Sequence, residues 1–146
     1  MNMVQVYIKG QEDKELNCFL RYYPVRIKNI GMDAFFDRQV VYDFKDDRNH
    51  ADVVKCVAKM LIKVVGERTA VHGTKVKKEE REKRLKEKNN IEVDANFFKN
   101  KIVCIWDDVV TTGTSFCAYT AQLEQVGAHV TNGIFLGKTS YKYVQQ

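Results

Sequence analysis

The stretch from Lys101 to Ser115, KIVCIWDDVVTTGTS, limits what this chain can fold into more than any other. Ile102-Val103-Cys104-Ile105-Trp106 is a short, β-branched-rich apolar run bounded by polar residues, the pattern of a buried strand. Two adjacent carboxylates, Asp107 and Asp108, follow it. Val109 and Val110 then lead into Thr111-Thr112-Gly113-Thr114-Ser115, a turn rich in hydroxyls with one glycine. An amphipathic segment from Phe116 to Val126 has the spacing of a helix, and Gly127 stops it. The apolar stretch from His129 to Leu136 predicts a second strand, which Gly137-Lys138-Thr139 ends. A strand, a helix and a strand at this spacing imply a right-handed βαβ crossover and therefore a parallel sheet.

Each residue type in the turn has a physical use. Gly113 can take a positive φ and lets a ligand approach the backbone. Successive amides aimed from a helix N-terminus favour an anion such as phosphate. Thr111, Thr112, Thr114 and Ser115 add hydroxyl donors. Asp107 and Asp108 would repel that same anion, but they suit the hydroxyls of a sugar, which donate to carboxylate oxygens. A ribose bearing a 5′-phosphate has both features. The plainer alternative is a strand–turn–helix with a Thr or Ser cap and two solvated carboxylates. The conjunction of all these residue types in one order weighs against it.

The run from Val103 to Ser115 resembles the phosphoribosyl pyrophosphate motif of the type I phosphoribosyltransferases: four apolar residues, two acids, two apolar residues and a T-T-G-x-T/S turn. Trp106 is bulkier than the aliphatic usual at its place. The resemblance implies that Asp107 and Asp108 contact the ribose 2′- and 3′-hydroxyls, and that Thr111, Thr112, Gly113, Thr114 and Ser115 wrap the 5′-phosphate. It implies an α/β, Rossmann-like fold with a mostly parallel sheet flanked by helices. It also implies Mg²⁺ accompanying the pyrophosphate, and transfer of the phosphoribosyl group to a nitrogen base. The similarity is close from Phe97 to Thr139. More broadly, Val41-Tyr42-Asp43-Phe44-Lys45 before a helix, and a basic run before the motif, resemble the competence-associated branch of the family. One departure stands out. The family carries a strand and a pyrophosphate-binding loop upstream, expected near Val64 to Thr69, where a helical pattern runs directly into Gly66-Glu67-Arg68-Thr69. The chain looks short by about one βα unit. The alternative function is therefore a non-catalytic regulator that binds a nucleotide or phosphoribosyl pyrophosphate.

The rest of the chain supplies the frame. Val4 to Ile8 and Leu16 to Tyr23 alternate apolar and polar residues around a polar turn. They predict an antiparallel hairpin over residues 1–24, an accessory sheet or an edge, with Cys18, Leu20 and Tyr22 on one face. Asp33 to Lys45 mixes helical spacing with a β-like core and is assigned to helix. Asn49 caps a clearer helix from His50 to Val65, with Val53, Val54, Val57, Leu61 and Val64 on its apolar face. Arg68 is a candidate phosphate contact because a guanidinium pairs bidentately with phosphate. His72, in the same link, and His129, at a strand edge, are assigned no chemistry.

The formal net charge of +5 is concentrated in one place. Residues 74–90 hold eight Lys or Arg against four Glu, with Val76 and Leu85 the only apolar residues. Such a segment cannot bury a face and is expected to be exposed, as a solvated helix or a cover over an anionic ligand. Its interleaved glutamates and lack of aromatics speak against a nucleic-acid-binding protein, a third function considered. Hydrophobic residues at 45% and charged residues at 29% fit an ordinary globular chain, and 146 residues fit one domain, 1–146. No apolar stretch spans a membrane and no signal peptide is evident, so a cytoplasmic protein is expected. Cys18, Cys56, Cys104 and Cys117, widely spaced, are expected to be reduced packing residues, with no protein metal site. The expected partner is a small-molecule phosphoribosyl ligand, with a homodimer left open and neither membrane nor nucleic acid expected.

Overall fold

The computed structural model describes residues 3–46, 50–65 and 93–144. Four strands and four helices occur among them: β1 (Val4–Gln5), β2 (Glu15–Tyr22), α1 (Met32–Lys45), α2 (His50–Val65), α3 (Ala95–Phe98), β3 (Ile102–Val110), α4 (Thr114–Gln125) and β4 (His129–Thr139). One sheet has the order β1-β2-β4-β3. β1 pairs antiparallel with β2, whereas β2–β4 and β4–β3 are parallel. The fold is therefore α/β with a mostly parallel sheet and an N-terminal antiparallel pair. The expected βαβ unit is present as β3–α4–β4. The hairpin differs from expectation in its standing. Its second strand is neither accessory nor an edge but an inner strand of the main sheet.

Apolar side chains build a core on each face of the sheet. On one, Leu16, Cys18, Val130 and Phe135 meet Phe116 and Leu123 of α4. On the other, Phe19, Leu20, Ile134 and Leu136 meet Val41 of α1 and Val57 of α2. The simple alternation expected along β2 fails between Phe19 and Leu20. Cys18 belongs to the α4 face, while Leu20 and Tyr22 pack with Phe19 on the α1 face. Gly137, opposite Leu20, contributes no side chain there; a Cβ would lie 3.2 Å from Tyr22 and 3.4 Å from Val41.

The buried central strand is β4 and not β3. Gly133 to Gly137 is wholly buried, with strands paired on both sides. β3 lies at the sheet edge among the described residues; Val103 to Val109 are half-buried and Ile102 is 65% exposed. Apolar content alone could not separate the two strands, because both are rich in β-branched and aromatic residues. A bulge between Val103 and Cys104, where Thr131 is skipped in the ladder, shifts their register.

Local signals hold the remaining elements. Asp33 lies in the first turn of α1 and Lys45 in its last, each opposing the helix dipole. Arg38 donates to the carbonyls of Tyr23 (2.6 Å), Pro24 (3.1 Å) and Ile27 (2.8 Å), pinning the loop after β2 onto α1. Asp94 caps α3 by accepting from the Phe97 amide at 3.1 Å. Along α2, Val57 is buried and Leu61 packs beside it, but Val54 is 38% exposed, outside the apolar face expected for it. None of the four cysteines forms a disulfide, and Cys56 is exposed instead of packed. The Asn49 cap, Arg68, His72 and the 74–90 segment lie outside the described residues. No helix among the described residues is long and apolar enough to cross a membrane.

At Gly133, β4 packs closely against Phe116 of α4. A Cβ there would stand 2.6 Å from the Phe116 ring and 2.8 Å from Leu16. Gly133→Ala should cost about 1–3 kcal/mol through overpacking, measured as a lower chemical-denaturation midpoint.

Candidate functional site

The parallel strands β2, β4 and β3 run in one direction, so the C-terminal end of β3, the turn after it and the start of α4 come together at one rim of the sheet. Ligand sites of open α/β sheets gather at such rims. Here Asp107, Val109 to Phe116 and Phe135 line a cleft of about 130 Å³. Whole small-molecule pockets run to roughly 300–1,000 Å³, so this one fits a fragment of a ligand.

Gly113 fixes the shape of the turn. Its φ is +87°, in the left-handed region, and it is the residue from which α4 starts. A Cβ at this position would lie 2.6 Å from the side chain of Ile8. Glycine is thus required twice, by dihedral and by space. Thr112 Oγ1 and Thr114 Oγ1 are 2.9 Å apart, and Thr111 Oγ1 and Thr139 Oγ1 are 2.8 Å apart, which ties the turn internally and to the end of β4. The backbone N–H groups of Thr111 to Ser115 donate to no other described residue. The first amides of a helix have no intrahelical acceptor, and they carry the positive end of its dipole. This is the electrostatic profile of an anion seat.

The two acids lie side by side in sequence but apart in space. Successive strand residues point to opposite faces. Asp107 lines the cleft. Asp108 is directed to Lys45 at the end of α1, 3.8 Å away, and is not among the cleft residues. The pair is partly solvated, and exposed pairs of this kind contribute little to stability. The carboxylates also satisfy backbone donors of this edge strand. Asp107 accepts from the Asp108 amide at 2.8 Å, and Asp108 from the Val109 amide at 2.6 Å. Burial pushes the Asp107 carboxyl up to about 6; Asp108 beside it adds repulsion, while the hydrogen bond from the Asp108 amide and the Lys45 charge oppose the rise.

The structure thus brings Asp107, Thr111, Thr112, Gly113, Thr114 and Ser115 to one cleft and places Asp108 at its back. Two contributors were not singled out from sequence. Ile8, in the segment after β1, supports Gly113. Lys138, on β4, donates its ammonium to the Thr111 carbonyl at the mouth of the turn. The signal for Lys138 was its place at the C-terminal end of a strand parallel to β3. Among the described residues, no group of three or more His, Cys, Asp or Glu could hold a metal ion. Comparison with family models, curated proteins and solved structures returned no match.

Two outcomes follow from this geometry. The folded chain holds the Asp107 proton more tightly than an unfolded aspartate, whose value is about 3.9. The stability this provides should be fully present below about pH 4 and lost as pH rises through about 6, and Asp107→Asn should flatten that decline in pH-dependent urea titrations. Gly113→Ala should destabilise by at least about 1 kcal/mol from the left-handed dihedral alone. Ile8→Ala, itself a costly truncation of a buried side chain, should combine with it less than additively in the same titrations, because it removes the clash and leaves the strained dihedral.

Proposed function

We propose that this chain is a phosphoribosyltransferase-like protein whose cleft seats the ribose 5-phosphate part of phosphoribosyl pyrophosphate or of a nucleotide. The observation that carries the proposal is the set of amides around Gly113 with no acceptor among the described residues, in the same cleft as Asp107. The amides of the 111–115 turn take the phosphate oxygens. Asp107 takes a ribose hydroxyl, and its raised pKa lets it stay neutral below about pH 6, where it repels the nearby phosphate least. Asp108 anchors the strand end through Lys45 and reaches a second ribose hydroxyl only if that pair opens.

If the protein transfers the group, the C1′–O bond to pyrophosphate breaks, a C1′–N bond forms with the base, and pyrophosphate leaves with its bonding electrons. Mg²⁺ fits this scheme as a companion of the ligand. It is commonly bound by substrate phosphates with one or two carboxylates and water, and among the described residues Asp107 is the cleft carboxylate that could join it.

A non-catalytic regulator is the second reading. Two features favour it. Only one acid of the pair lines the cleft, and in the sequence a helical pattern runs directly into Gly66-Glu67-Arg68-Thr69, where the family's strand and pyrophosphate loop are expected. Transfer depends on positioning and on neutralising the departing pyrophosphate, so a binder without such a loop would be slow or inert.

Calorimetric titration with phosphoribosyl pyrophosphate and Mg²⁺ tests the seat. Binding should weaken at least about tenfold in Asp107→Asn, and more in the double variant Asp107→Asn with Asp108→Asn, as expected for loss of a charged hydrogen-bond acceptor. Unchanged affinity in the double variant would refute the proposal. Pyrophosphate release over a panel of nitrogen bases then separates transferase from regulator.

A further inference from the structure

We infer that Lys138 is a ligand-binding residue that completes the phosphate seat and selects a dianionic phosphate monoester. The inference rests on the proposed ribose 5-phosphate site and extends it. The turn from Thr111 to Ser115 contains no cation of its own. Its amides supply partial charges only. Asp107 lines the same small cleft, so a dianion entering it at neutral pH meets a carboxylate with no opposing full charge from the turn. Lys138, outside the residues that line the cleft but bonded to the carbonyl of Thr111 at its mouth, provides that charge.

Its position is set by two contacts. β3 and β4 run parallel with Val110 paired to Lys138, so the lysine leaves the sheet beside the first residue of the turn. The ammonium then donates to the Thr111 carbonyl, while the Thr111–Thr139 hydroxyl contact of 2.8 Å clamps the same two chain segments together. An ammonium has three N–H donors. One is used at Thr111, and Lys138 forms no ion pair with a carboxylate among the described residues. Lys14 pairs with Asp13 and Glu124, and Lys45 with Asp108. Lys138 is held at the turn by a neutral carbonyl, with donors left over. The remaining donors suit a phosphate oxygen at the end of the amide row. A neutral sugar gains little from them, whereas a phosphate monoester gains a charge-assisted hydrogen bond.

The test uses the full-length chain and ribose 5-phosphate as the probe. The wild type, Lys138→Gln and Lys138→Arg are compared by calorimetry at two salt concentrations, with folding checked by circular dichroism. Loss of one charge-assisted bond corresponds to about tenfold to a hundredfold weaker binding. Lys138→Gln should lose at least tenfold and show a shallower salt dependence. Lys138→Arg should restore most of the affinity. A second measurement needs no stable variant: the Lys138 side-chain ammonium signal of the wild type, followed by NMR, should shift as ribose 5-phosphate saturates. Affinity within twofold in Lys138→Gln, or an unmoved ammonium signal at saturation, overturns the role of Lys138 and leaves the amide seat standing. Absence of any binding by the wild type overturns both.

Discussion

The turn after β3 depends on one contact, the stacking of the Ile8 side chain under Gly113. The glycine must take a left-handed φ of +87° to turn the chain from strand into helix. Ile8 is 4% exposed and belongs to the core on the α4 face, with Leu16, Phe116 and Phe135. The packed isoleucine fills the space a side chain at position 113 would need, so the turn closes directly against the core. Site and core are thus parts of one structure. A change in the N-terminal segment would be felt at the turn, more than 100 residues later in the sequence.

Much of this was legible in the sequence because its signals were local. The period of the apolar residues gave α1, α2 and α4, and a glycine in the T-T-G-T-S turn gave the left-handed start of α4. Parallel pairing of β3 and β4 followed from their separation by one helix. What was not legible depended on tertiary partners. β4 rather than β3 occupies the interior because β2 pairs with its other side, and nothing within the β3 or β4 sequence encodes that neighbour. The same pairing turned the N-terminal hairpin from an accessory into a frame element.

The acidic pair shows the same limit at the scale of the site. Adjacent aspartates look like one feature in sequence, yet a strand separates them to opposite faces. Asp107 enters the cleft and has its pKa raised by burial; Asp108 turns to Lys45. A proline-free, well-paired strand end gives these two side chains little freedom to converge without breaking the bonds that the carboxylates accept from the Asp108 and Val109 amides. The ribose side of the proposed site therefore rests chiefly on one acid, and the phosphate side on the turn.

The central claim is that the amides around Gly113 bind a phosphate. The most direct measurement is a ¹H–¹⁵N spectrum of the labelled chain titrated with ribose 5-phosphate, with unphosphorylated ribose as the control. The amide signals of Thr112, Gly113, Thr114 and Ser115 should move together and saturate with the phosphorylated sugar alone. Signals that stay in place at millimolar ribose 5-phosphate, or that respond equally to ribose, would contradict the account.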